Sequence, residues 1–147
     1  MQSTFTRATL ALLALAGFAT GGWACFLPGS FYLDFPGFRS GWVSADGPFN
    51  EHLVRDVGAM FLALGVVAAG ALVLKTTGAA RLAGAAWLVF SVPHTIYHLA
   101  HLHVLPPVDQ ALNAVGLTAG ALAALAVVLM PGRRAPATSA TARSRVH

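Results

Sequence analysis

Four long apolar stretches dominate the chain. Each is long enough to cross a bilayer core, which takes about 20 residues at about 1.5 Å rise per residue. They run from about Phe5 to Phe26, Leu53 to Leu74, Leu82 to Leu105 and Val108 to Met130. Residues that end helices lie between or after them: Pro28-Gly29, the segment from Lys75 to Arg81, Pro106-Pro107 and Pro131-Gly132. Proline lacks the amide donor a helix interior needs, and glycine accepts the left-handed turn that closes one. The pattern predicts an all-α integral membrane four-helix bundle over residues 1–130, with an aromatic outer loop between helices 1 and 2. Residues 131–147 are polar, basic and of low complexity, which predicts a disordered tail drawn to anionic head groups. The short connections at Thr76 to Ala80 and at Pro106-Pro107 require antiparallel neighbours, second helix on third and third on fourth.

Composition supports lipid as the solvent. Of the 147 residues 56% are hydrophobic and only 10% charged, against about a quarter charged in soluble domains. The formal charge is +4, but the basic residues flank apolar runs or lie in the tail, so nucleic acid is not an expected partner. Expected partners are the bilayer, other membrane proteins or further copies of the chain. The single Cys25 excludes an intramolecular disulfide and a thiolate metal site built from one chain.

Charge placement orients the bundle. With the N-terminus inside, Arg7, Lys75, Arg81, Arg133, Arg134, Arg143 and Arg145 are cytoplasmic, while only Arg39 and Arg55 lie on the outer side. This follows the positive-inside rule and predicts an N-in, C-in multi-pass protein. The Ala, Gly and Arg usage resembles that of a GC-rich bacterial genome, so the expected location is a bacterial inner membrane. All five acids, Asp34, Asp46, Glu51, Asp56 and Asp109, then fall outside. An alternative for the first stretch is a signal peptide cleaved after Ala24, or with Cys25 lipidated.

Small residues should let the helices approach closely, because burial from water gives no drive to associate in lipid. Gly116 and Gly120 form a GxxxG pair, and Ala59, Ala63 and Gly70 share a face with His52 and Asp56. The outer loop, Pro28 to Asn50, carries Phe31, Tyr32, Phe35, Phe38 and Trp42, suited to an interfacial belt that could also cap the bundle.

The ionisable residues collect in two segments. In the first, His52 and Asp56 lie one turn apart, and Glu51 and Arg55 form a second pair at that spacing. In the second, His94, His98 and His101 follow i, i+4, i+7, so they form one stripe with Trp87 and Ser91, while His103 points to the opposite side. Tyr97 sits among them, and Pro93 loosens the helix before the stripe. If the two stripes face each other, His52, Asp56, His98 and His101 converge, with Glu51 and Arg55 around them.

Four chemistries fit that arrangement. His52, Asp56, His94, His98 and His101 could bind a divalent transition metal such as zinc, iron, copper or nickel. Haem fits less well, since no histidine on another helix matches His94 in depth, and Met60 points away from the His52 face. Glu51, Arg55, Asp56 and Tyr97 could handle a ligand or protons, as in a proton-coupled transporter or pH sensor. A polar cluster that only fixes helix register is the fourth. No phosphate loop, nucleophile elbow or cysteine pair defines a reaction.

The run Glu51-His52-Leu53-Val54-Arg55-Asp56-Val57-Gly58, followed by Phe61-Leu62-Ala63-Leu64-Gly65, resembles the acid-x-x-x-Arg-x-x-Gly…Leu-x-Leu-Gly pattern of DoxX-like small four-span bacterial membrane proteins. The resemblance implies a four-helix bundle in the inner membrane. Most such proteins have no assigned activity, and some are linked to quinone or thiosulfate oxidation as membrane subunits. The His94 to His103 stripe lies outside that pattern. The resulting expectation is an accessory inner-membrane protein with an outward-facing polar site, the alternative being a membrane oxidoreductase subunit that uses a metal or quinone.

Overall fold

A computed structural model describes residues 2–131. The tail expected to be disordered lies, from residue 132 onward, outside the described residues. Among the described residues the fold is all-helical: α1 (Thr4–Phe26), α2 (Pro28–Asp34), α3 (Glu51–Leu74), α4 (Thr77–Ala100) and α5 (Pro107–Leu129), with 3-10 turns at Ser44–Asp46 and Leu102–Val104. Helices α1, α3 and α5 are long and apolar enough to cross a membrane. α4 has the length but a lower mean hydropathy, because Ser91, Pro93, His94, Thr95 and His98 interrupt its apolar residues.

The helix ends follow local chemistry. Ser3, Asn50 and Thr76 cap α1, α3 and α4 by accepting from the amides of Thr6, Leu53 and Ala79. Prolines open α2 and α5 at the first turn, where an amide would have no helical partner anyway. Lys75 closes α3 with a left-handed φ of 55°. The α3–α4 connection is therefore shorter than the sequence implied, and α4 starts at Thr77 rather than near Leu82. α4 also ends earlier, at Ala100 rather than Leu105. There the ring Nδ1 of His101 meets the Tyr97 carbonyl at 2.7 Å, taking the place of the next helical amide.

The bundle is built from two tight pairs, α1 with α3 and α4 with α5, which touch each other less closely. The α1–α3 seam is backbone against backbone. A Cβ on Gly17 would stand 2.7 Å from the Gly65 Cα, and one on Gly21 would stand 2.7 Å from the Gly58 carbonyl oxygen. In the second pair, a Cβ on Gly84 of α4 would stand 2.9 Å from the Ala124 carbonyl oxygen of α5. The GxxxG pair behaves differently from the expected packing motif, since a Cβ on Gly116 or Gly120 would meet nothing. Ala59 and Ala63 are exposed. The buried face of α3 is Val54, Gly58, Leu64, Gly65, Ala68 and Ala71.

At the end away from the loop, Gln2 donates from Nε2 to the carbonyls of Ala71 (2.7 Å) and Thr76 (3.0 Å), tying the start of α1 to the end of α3. At the loop end, Arg55 donates to the Cys25 carbonyl and, at 2.8 Å, to Glu51.

Replacing Gly21 with valine should force α1 off α3 and cost about 1–3 kcal/mol, the usual range for overpacking. Gly22→Ala, whose Cβ meets nothing, should be neutral. Thermal unfolding of both variants in detergent checks the pair; equal melting would remove the glycine seam as the organising contact.

Candidate functional site

Between the two helix pairs, in the half of the bundle nearest the loop, lies a cavity of about 460 Å³. α4 contributes most of its chemistry. Trp87, Ser91, His94 and His98 recur at helical spacing and all line it, as the sequence stripe predicted. Helical rise puts Trp87 about 20 Å below the end of α4, so the cavity reaches the middle of the bundle. Gly116 and Gly120 face it from α5, and their missing side chains leave room in the wall.

The loop forms the outer wall. α2, which the sequence analysis did not anticipate, presents Phe31, and the following segment adds Phe35, Trp42, Val43 and Asp46. A chain of aromatic contacts holds this segment together: Trp23–Phe31 (5.9 Å between centroids), Phe31–Phe35 (4.9 Å) and Phe35–Trp42 (6.4 Å). One carboxylate anchors it to the bundle. Asp109, buried in the first turn of α5, accepts from Arg39 (3.1 Å) and from the Trp42 indole (3.0 Å), and pairs ionically with Arg39. Asp46 lies 3.6 Å from His98, and Tyr32 donates to the Gly47 carbonyl at 2.7 Å.

The expected convergence of His52, Asp56, His98 and His101 does not occur. His52 and Asp56 pair with each other at 3.3 Å, with side chains 88% and 61% exposed. Backbone contact through Gly58 and Gly65 turns the other side of α3 inward, and a polar pair at the helix end loses nothing by remaining outside. His101 lies past the end of α4, stacked on Tyr97 at 4.3 Å. His103, expected on the opposite side, comes within 6.1 Å of His101, because the chain is no longer α-helical there. Glu51 and Arg55 pair on the outside of α3. Among the described residues, no group of three His, Cys, Asp or Glu side chains is placed to hold a metal ion.

The sequence reading missed the ion pair that matters most here, Asp109 with Arg39. Asp109 is the single charged residue in the last apolar stretch, and Arg39 the single basic residue in the outer loop; that pairing was available as a signal. It also missed Asn113, one turn further along α5. The side chains of Trp87, Ser91 and Asn113 are more than nine-tenths buried and line the cavity. The Trp87 Nε1, the Ser91 Oγ and the Asn113 Oδ1 have no hydrogen-bond partner. An unpaired buried polar atom costs roughly 1–3 kcal/mol, and three of them belong to residues in the wall of this one space. Their neighbours are mainly rings: Phe61 and Phe90 meet at 4.8 Å, and Phe90 stacks on His94 at 4.7 Å. An apolar body carrying a donor and an acceptor would satisfy both kinds of lining.

Replacing Asp109 with alanine should release both Arg39 and Trp42 and loosen the loop locally. Amide exchange over residues 35–47 should rise roughly tenfold while the middle of α3 stays protected. Unchanged exchange in the loop would show that the aromatic contacts alone hold it.

Comparison with known proteins found no matching family model, no matching curated protein and no matching solved structure, so the geometry carries the functional reading.

Proposed function

We propose that the chain is a four-span bacterial inner-membrane protein, both ends cytoplasmic, that binds a small neutral ring compound in the outer half of its bundle. The observation that carries this reading is the set of three unpaired neutral polar atoms, on Trp87, Ser91 and Asn113, around a largely aromatic cavity. The volume, about 460 Å³, falls in the usual range for small-molecule sites. No lysine or arginine lines the space, and its one carboxylate, on Asp46, already faces His98. A neutral ligand therefore fits better than an anion.

The fourth span is α4. Its polar residues Ser91, Thr95, His94 and His98 line the cavity. Its outer flank, with Leu82, Val89, Val92, Ile96 and Leu99, is exposed and apolar. Low mean hydropathy is expected of a span whose polar side faces a cavity. The basic residues Arg7, Lys75 and Arg81 gather at the end opposite the loop, which supports the loop as the outer side. In a Cys25→Ala background, Ser40→Cys should react with an impermeant maleimide in intact cells, and Gly78→Cys only after permeabilisation. The reverse pattern would invert the topology.

A second reading, membrane oxidoreductase subunit, is favoured by one feature. The stacked Phe61, Phe90 and His94 rings suit the ring of a quinone or quinol. Both readings predict ring binding. Calorimetry with para-cresol on protein in nanodiscs should give saturable binding that Ser91→Ala and Asn113→Ala together weaken about tenfold, the cost of two neutral hydrogen bonds. Absence of saturable binding to the wild type would remove the cavity as a ligand site.

A further inference from the structure

Resting on the ring-binding reading, we infer that the ligand is a single-tailed membrane amphiphile whose hydroxylated ring fills the cavity and whose hydrocarbon tail leaves between α3 and α4. Beside the cavity, on the outer flank of the bundle, lies a second, more open space of about 590 Å³. Its walls are Met60 and Leu64 of α3 and Ala86, Val89 and Pro93 of α4, none of them charged. Phe90 and His94 line both spaces, so their stacked rings form the partition between cavity and groove.

Three observations favour this side as the way in. The loop, which Asp109 and the aromatic chain hold in place, covers the water-facing end of the cavity. The α3–α4 contact is looser than those within the α1–α3 and α4–α5 pairs, although α1 and α5 touch still less, so this seam can part without breaking either tight pair. Met60 and Val89 both lie near the middle of helices roughly 36 Å long, at the depth of hydrocarbon rather than head groups. A molecule arriving there comes from the lipid phase, and its apolar part need not leave it.

The partners inside specify the head group. The unpaired polar atoms of Ser91 and Asn113 are buried in the cavity wall; once those side chains turn toward the ligand, a ring hydroxyl donates to the Asn113 amide oxygen, and the Ser91 hydroxyl can donate or accept. Phe61 and Phe90 offer faces and edges to the ring. A chain of methylenes has no such partners and matches the groove instead.

The test compares para-cresol with para-decylphenol on the wild type and on Val89→Trp, all in nanodiscs of one lipid composition. Val89 is 78% exposed, so the indole fills the groove without entering the core, and an unchanged melting temperature verifies this. Comparing variant with wild type for one probe cancels that probe's partition into lipid. The expected result is that Val89→Trp weakens decylphenol about tenfold and leaves para-cresol within about twofold. Equal binding of decylphenol to both proteins, or equal weakening of both probes, overturns the tail assignment while leaving the cavity as a ring site. If the wild type binds neither probe, the ring-binding reading fails and this inference fails with it.

Discussion

The contact on which the rest of the structure depends is the backbone seam between α1 and α3. Gly17 and Gly21 bring the backbone of α1 onto that of α3 around Gly58 and Gly65, with the Phe18 ring close against Gly65. In lipid, association gains little from apolar burial, so this proximity provides the dispersion contact that holds the pair. Gly84 does the same against α5. With two pairs each packed this tightly, the surfaces between them meet less closely, and the cavity occupies that gap. The cavity is thus a consequence of how the pairs form.

The same seam decides where the polar residues go. By turning Val54, Gly58 and Gly65 inward, it leaves His52 and Asp56 on the outside, where they satisfy each other. α4 turns its polar stripe into the gap, and its opposite flank is apolar. At the loop end each acid has a polar partner. Asp109 has Arg39, Glu51 has Arg55, Asp56 has His52, Asp46 faces His98, and Asp34 accepts from Ser30. None of these five acids is left to hold a ligand alone. This moves the interest from charged groups to the neutral ones deeper in the bundle.

Much of this was legible in the sequence, and the limits have physical causes. Span lengths follow from apolar runs and their proline and glycine borders. The inward stripe of α4 follows from 3.6-residue periodicity at Trp87, Ser91, His94 and His98. Periodicity stops informing where the helix stops, so His101 and His103 were misplaced once a side-chain cap ended α4 early. It also gives each helix a face but no azimuth relative to its neighbours, so the stripes of α3 and α4 were wrongly turned toward each other. Gly58 and Gly65 carried the resemblance to small four-span proteins, and both work as packing residues at the seam. The Gly116–Gly120 pair looked like an equivalent seam, yet a missing side chain reads the same whether it admits a helix or a ligand.

Hydrogen-bond satisfaction bears on that ambiguity at the cavity. A polar cluster kept only to fix helix register should satisfy its own members, because a half-satisfied buried network is worse than an apolar one. At the loop the protein meets this standard: Asp109 has both an ionic and a neutral donor, and Trp23 donates to Ser30. Deeper in the bundle, Trp87, Ser91 and Asn113 do not meet it, although Phe, Leu or Ala would occupy similar space at no polar cost. Water can satisfy such atoms, but it gains little from the ring faces of Phe61 and Phe90 that make up much of the remaining wall. A ring with a hydroxyl matches both kinds of residue in this wall, which is why the proposed ligand rests on the unpaired neutral groups and not on the paired histidines.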